Sequence, residues 1–128
     1  MVPLLFSSPS MIPYALVLLL PLKSQTAEPV KITPLPAIVS AYTSDPAETD
    51  STPDITASGT STRNGIIACP RKHPFGRIVW IDGTFYQCED RMNSRYEGKD
   101  KEHFDIWMGD KRSALAWGRR TVQVYFVE

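Results

Sequence analysis

The 128-residue chain lacks an excess of charge of either sign, because 14 Lys and Arg residues balance 14 Asp and Glu residues. Nucleic-acid binding generally needs clustered Lys and Arg to neutralise phosphates, so this balance argues against it. Motifs of several enzyme classes are also missing: there is no GxSxG nucleophile elbow, no GxxxxGK phosphate loop and no GxGxxG fingerprint. We therefore expect no cofactor, and nucleophilic catalysis has no motif behind it.

Long hydrophobic runs are absent too. The most apolar run, residues 11–22 (MIPYALVLLLPL), is shorter than the roughly 20 residues that a helix needs to span a bilayer. It fits the hydrophobic part of a signal peptide, and its prolines disfavour a buried helix. We expect residues 1–27 to be a signal peptide. The remaining alternative is a membrane anchor that contacts the membrane through residues 11–22. Either segment places the protein outside the cytoplasm, secreted or in the cell envelope (periplasm or extracellular).

The next segment is rich in proline. Residues 28–37 predict an extended linker, with a short strand starting at Ala37, so the folded domain is expected over 38–128. Within it, Asp82-Gly83 separates two β-rich runs, which is a strong hairpin signal. A two-residue turn there would pair Trp80 with Phe85 and pin the register through aromatic contacts.

Other parts of the domain also read mainly as β-structure. The apolar run 65–69 predicts a buried strand that ends at Pro70. Residues 103–108 alternate as a half-buried strand does, and 121–127 predict a closing strand. The only good helical candidate is 111–117, followed by Gly118 at its end. Several short strands with one helix favour a small, compact β-barrel.

The two cysteines allow two interpretations. A disulfide between Cys69 and Cys88 is the simpler one, because export would place the chain in an oxidising compartment. The alternative is a zinc site that adds His73 and His103. No paired CxxC or HxxxH spacing supports such a site, so we expect no metal.

Asp105 is the first candidate for acid chemistry. On the predicted strand it shares a face with Trp107 two residues on, about 7 Å away. An indole beside a carboxyl group disfavours its charged form, which makes Asp105 a candidate general acid, and the same indole suits stacking on a sugar ring. The competing interpretation is a surface aspartate beside a partly exposed tryptophan.

Two polar segments accompany it. Glu89 and Asp90 end a predicted strand, where polar groups commonly face a cleft, although adjacent acids at such a place are usually just solvated. Thr56, Ser58 and Thr60 lie in a hydroxyl-rich turn that suits hydrogen bonding to a carbohydrate or orientation of an acid. The alternative is an ordinary Ser/Thr turn.

Eight short segments, taken in order, resemble the three-aspartate (3D) domain family. That family is similar to the catalytic core of membrane-bound lytic transglycosylase A, a double-psi β-barrel that acts on peptidoglycan. The resemblance covers about 38–128, and it implies a small six-stranded double-psi β-barrel with one short helix. The segments that carry it are Tyr42-Thr43, TASGT (56–60), GIIACP (65–70), PFG (74–76), CED (88–90), HFDIWMG (103–109), ALAWGRR (114–120) and VQVYF (122–126).

The family pattern has three aspartates, and the matching positions here are Cys69, Asp90 and Asp105. The first aspartate is thus replaced. Cysteines at 69 and 88 suggest that a disulfide has taken over the task of holding these two segments together.

The resemblance implies a peptidoglycan lytic transglycosylase. Asp105 would first protonate the glycosidic oxygen between N-acetylmuramic acid and N-acetylglucosamine, and then accept the C6 hydroxyl proton as a 1,6-anhydro ring closes. Asp90 would adjust the pKa of Asp105 or contact the substrate. Glu89, Trp107, Thr56, Ser58 and Thr60 would support binding of the glycan strand. A monomer is expected. The alternative is a non-catalytic barrel module that binds cell-wall glycan.

Overall fold

A computed structural model describes residues 28–47 and 51–128 of the chain. Within these two ranges, six strands form a closed barrel, β1 (Ile32–Tyr42), β2 (Ile66–Cys69), β3 (Ile78–Ile81), β4 (Thr84–Arg91), β5 (Glu102–Trp107) and β6 (Arg120–Val127), and there is one α-helix, α1 (Lys111–Trp117). A short 3₁₀ helix (Ser94–Tyr96) follows β4. The expected fold class, a small, mainly β six-stranded barrel with one short helix, is confirmed.

The order of strands around the barrel is β1-β5-β2-β4-β3-β6. Two pairs are parallel, β1 with β5 and β2 with β4, and the other pairs are antiparallel. Alternate residues of every strand point into one core. Its largest fully buried members include Phe104, Ile106, Ile67, Val79 and Val124. The faces predicted for β5 are confirmed, because Phe104 and Ile106 are buried there while Asp105 and Trp107 lie on the other face.

The first strand corrects the predicted linker. β1 begins at Ile32, so the linker expected over 28–37 is wrong from residue 32 onward, and the barrel starts before residue 38. The amide of Glu128 donates to the Lys31 carbonyl, so with a period of two the amide positions of Pro34 and Pro36 face away from β6. β5 pairs with β1 only from Ala37, so neither proline removes a ladder hydrogen bond.

The predicted hairpin is present with the predicted register. Trp80 pairs with Phe85, Val79 with Tyr86, and Ile81 with Thr84. Asp82 and Gly83 have φ values of 50° and 87°, as a type I′ turn requires.

Helix α1 also has the predicted bounds. The Asp110 carboxylate caps its first turn by accepting from the Ser113 amide at 2.8 Å, and Gly118 ends it with a φ of 70°.

Cys69 and Cys88 form a disulfide between β2 and β4, with Cα atoms 5.8 Å apart. Because both sulfurs are part of the disulfide, they are not available as thiolate ligands, which rules out the alternative zinc site. Both residues are fully buried in the core. A structural disulfide indicates an oxidising, extracytoplasmic compartment. No helix within 28–47 and 51–128 is long and apolar enough to cross a membrane, and the predicted signal peptide or anchor lies outside the described residues.

His73 is a buried polar residue whose ring contacts two aromatic residues of the core, Phe104 and Phe126. Arg77 donates to its Nδ1 at 3.0 Å, and its Nε2 lies 2.6 Å from a Glu102 oxygen. Because a guanidinium can only donate, Nδ1 must accept, and the neutral ring carries its proton on Nε2. The ring stacks on Phe126 at 4.6 Å. Burial lowers the pKa of His73, and burial with nearby cationic side chains does the same for His103.

Removing the disulfide should destabilise the barrel. Closing a loop between residues 19 apart restricts the unfolded chain, so the double variant Cys69→Ala/Cys88→Ala should lose about 3 kcal/mol of unfolding free energy. Urea denaturation of the wild type with and without a reductant gives the matching control. Equal denaturation midpoints in all three samples would contradict the expected role.

Stability should also fall in mild acid. An unfolded histidine titrates near pH 6.5, whereas folded His73 and His103 resist protonation. The free energy of unfolding is therefore expected to be fully retained above about pH 6.5 and to decrease as the pH drops below it. Urea titrations of wild type and His73→Gln from neutral pH to about pH 5 test this. The variant should show the shallower dependence, and identical slopes would speak against the assignment.

Candidate active site

The site is built on the pairing of one small residue with two acids. Ala68 on β2 is the register partner of Asp105 on β5 and also of Asp90 on β4. The three residues therefore form a row across adjacent strands. Because neighbouring strands lie about 4.8 Å apart, the two aspartate Cα atoms are separated by about 10 Å.

A β-bulge turns Asp90 out of the core. Cys88 pairs with Ile67, and the next pair is Asp90 with Ala68, so Glu89 is an extra residue in β4. Without it, Asp90 would share the inward face of Cys88, two residues earlier. The bulge sends Asp90 to the same outer face as Ala68. Re-aiming a side chain beside a functional site is a common use of bulges.

Tyr42 reaches across this row. It ends β1, on the far side of β5 from β2, yet its hydroxyl donates to Asp90 Oδ2 at 2.6 Å. Its ring is buried against Ala68 and Met92. The small side chain of Ala68 leaves room for the ring between the two aspartates.

Asp90 is held by three donors in all. Besides the Tyr42 hydroxyl, the backbone amides of Ala57 and Arg91 each donate to Oδ1 at 2.9 Å. Both of its carboxylate oxygens are thus engaged, which fixes the orientation of the side chain.

The Tyr42 hydroxyl stays protonated throughout the physiological range. Burial, the hydrogen bond to Asp90 and the charges of Asp90 and Asp105 raise its pKa far above the usual value of 10. Asp105 therefore lies within electrostatic reach of the same hydroxyl. Tyr42 is a permanent hydrogen-bond donor between the two acids.

Both aspartates open onto one cleft of about 520 Å³. This volume is in the range of small-molecule and sugar-sized sites. Cationic and aromatic side chains from the segment after β4 form a second wall. The cleft is lined by Tyr42, Ala47, Thr52, Pro53, Ile55, Ala68, Asp90, Arg91, Met92, Asn93, Arg95, Tyr96 and Asp105.

Four of the predicted binding residues lie together behind Asp90 and do not line the cleft. Ser58 Oγ and Thr60 Oγ1 donate to the Glu89 carboxylate at 2.6 and 3.2 Å, and the Thr56 hydroxyl joins them. Thr56 and Glu89 are buried. This cluster shapes the turn whose Ala57 amide holds Asp90. Its geometry suits positioning of Asp90, without direct contact with a glycan.

Trp107 is also outside the cleft lining. Its indole donates to Ser44 Oγ at 3.0 Å and packs against the cluster of Tyr42, Ala68 and Met92. The aromatic group between the acids is Tyr42, which the sequence analysis named only within a segment of the family resemblance, Tyr42-Thr43, and gave no role in the site. Tyr96, on the 3₁₀ helix, is the other aromatic wall, and no pattern in the sequence pointed to that helix.

Cys69, which the resemblance matches with the first of the three aspartates, does not line the cleft. Cys69 points into the core, on the opposite face of β2 from Ala68, and its disulfide joins β2 to the strand that carries Asp90. Across 28–47 and 51–128, no group of three or more His, Cys, Asp or Glu residues could hold a metal ion.

No protein-family model matches this chain, and no curated protein matches it significantly.

The bond from Tyr42 to Asp90 should contribute measurably to stability. Tyr42→Phe keeps the ring but leaves a partly buried carboxylate oxygen without its donor, which should cost about 1 kcal/mol or more of unfolding free energy. Tyr125→Phe is the matched control, because Tyr125 is half-buried on the other side of the barrel. Chemical denaturation should show a loss for Tyr42→Phe alone. Equal stability of the two variants would contradict the bond.

Proposed function

We propose that this protein is a peptidoglycan lytic transglycosylase that acts outside the cytoplasm. The observation that carries the proposal is the pair of acids in one cleft: Asp105 opens onto it from β5, while Asp90 is tethered across from it by three donors. The disulfide supports an extracytoplasmic location, where the cell wall lies.

Asp105 takes the role of acid and then base. It enters the cycle as a carboxylic acid, the form that general acid catalysis requires. It gives its proton to the oxygen that links N-acetylmuramic acid to N-acetylglucosamine. The bond between that oxygen and C1 of N-acetylmuramic acid then breaks. The resulting carboxylate then accepts the proton of the C6 hydroxyl, whose oxygen closes the 1,6-anhydro ring at C1. The reaction consumes no water, because the C6 oxygen replaces the leaving oxygen at C1.

One proton-transferring carboxyl group is enough for this reaction. The carboxylate separations that distinguish retaining from inverting hydrolases do not apply, because no water attacks and no glycosyl-enzyme forms. Asp90, with both oxygens engaged, is suited to holding the Tyr42 hydroxyl in place, within electrostatic reach of Asp105. Arg91, Arg95 and Tyr96 lie where a bound glycan strand would pass.

A non-catalytic barrel module that binds cell-wall glycan is the second candidate. The observation that favours it is Cys69, because a buried half-cystine occupies the position of the first family aspartate. Binding without cleavage would use the same cleft and the same glycan.

Asp105→Asn should separate the two candidates. The amide cannot donate and then accept the proton, so release of soluble fragments from purified peptidoglycan should fall by about 100-fold or more. The control is Asp100→Asn, a change of the same kind in an exposed loop outside the cleft, which should keep wild-type activity. A folded wild type that binds peptidoglycan but releases nothing would favour the binding module. Undiminished release by Asp105→Asn would remove Asp105 as the acid.

A further inference from the structure

A second surface of the barrel is apolar and exposed. Ile32, Trp80, Phe85, Tyr125 and Val127 line a shallow groove of about 360 Å³, and we call these five residues the apolar face. Ile32 is 58% exposed and Phe85 is 62% exposed. Val30, just before β1, adds another exposed aliphatic side chain. Large apolar side chains gathered in this way on the outside of a small domain indicate a contact surface.

Strand register brings the apolar face together. Trp80 on β3 pairs with Phe85 on β4 and with Tyr125 on β6, which makes a row of three aromatic residues across adjacent strands. Ile32 pairs with Val127 in the adjoining row. The alternate residues of β3 and β6 fill the core, so these side chains must point outward.

The apolar face lies opposite the cleft. The cleft is centred on β5 and β2, and the apolar face on β3 and β6. In the ring β1-β5-β2-β4-β3-β6, these two pairs are diametrically opposed. Anything that covers the apolar face leaves the cleft open on the far side of the barrel.

Ion pairs border the apolar face. Glu128, directly after Val127, pairs with Arg77 at 2.8 Å and with Lys31 at 3.6 Å. Arg120 and Asp82 pair at 3.6 Å beside the hairpin turn that precedes Phe85. An apolar patch with a charged rim is typical of a protein or membrane contact.

The sequence before β1 indicates that the apolar face contacts a membrane. The apolar run 11–22 is joined to Ile32 by residues 23–31, and a fully extended segment of that length spans at most about 30 Å. Ile32 belongs to the apolar face. When residues 11–22 are inserted in a membrane and remain attached to the chain, this short connection therefore keeps the apolar face close to the lipid surface. Trp and Tyr side chains favour the interface between lipid and water. The rings of Trp80 and Tyr125 are tilted by 59°, so they form no flat platform for a sugar.

We propose that the apolar face rests on a lipid bilayer and holds the barrel on the membrane with its cleft directed away from it. This inference is independent of the chemistry in the cleft. It assigns Trp80, Phe85 and Tyr125 to the headgroup region and leaves Asp90 and Asp105 facing the material beyond the membrane.

Tryptophan quenching tests the orientation directly. All three tryptophans, Trp80, Trp107 and Trp117, lie in the barrel domain and none lies in residues 1–27, so their emission reports on the barrel alone. The full chain is reconstituted in phosphatidylcholine vesicles with brominated acyl chains. Quenching should be clear in the wild type, should be largely lost in Trp80→Phe, and should also be largely lost when Phe85→Glu places a charge in the apolar face.

Leu115→Glu is the matched control, because Leu115 is 72% exposed on α1, outside the apolar face. It should keep wild-type quenching. Three results would overturn the proposal. One is no quenching of the wild type, and another is quenching that Trp80→Phe and Phe85→Glu leave unchanged. The third is self-association in detergent solution that Phe85→Glu abolishes, which would assign the apolar face to a second copy of the chain.

Discussion

The pairing of Ala68 with an aspartate on each side is the constraint on which the candidate site depends. β2 has only four residues, yet it holds β5 by one edge and β4 by the other, and so brings together two acids that lie 15 residues apart in sequence (105 − 90). A larger residue at 68 would occupy the space that the Tyr42 ring now fills. The disulfide from the next residue, Cys69, ties β2 to the strand of Asp90 at this point.

Around that row, the polar groups divide into those that face the cleft and those that support it. Asp90 is fixed by Tyr42 and two amides, and the turn that supplies one amide is itself held by Glu89 and its hydroxyl partners. Asp105 opens onto the cleft from the other side of Ala68. An arrangement with one acid fixed as a charged neighbour and the other turned to the cleft suits a reaction in which a single carboxyl group gives and then takes a proton.

Local chemistry in the sequence predicted much of the fold. Asp82-Gly83 defines its hairpin, Gly118 ends the helix, and alternation along β5 places Asp105 on the outer face, because each signal acts within a few residues. The sequence did not reveal the bulge at Glu89 or the reach of Tyr42 across two strands, since both depend on which strands become neighbours. The linker prediction failed because proline is tolerated where a strand has one free edge. The sequence also did not predict that the indole of Trp107 would bond to Ser44 and lie outside the cleft lining.

We propose that one carboxyl group in this cleft cleaves a glycan without water. The direct measurement is mass spectrometry of the soluble fragments that the protein releases from purified peptidoglycan in heavy-oxygen water. The account predicts 1,6-anhydro-muramic ends that carry no heavy oxygen. Reducing ends labelled with heavy oxygen would show that water attacks, and would contradict the proposed reaction.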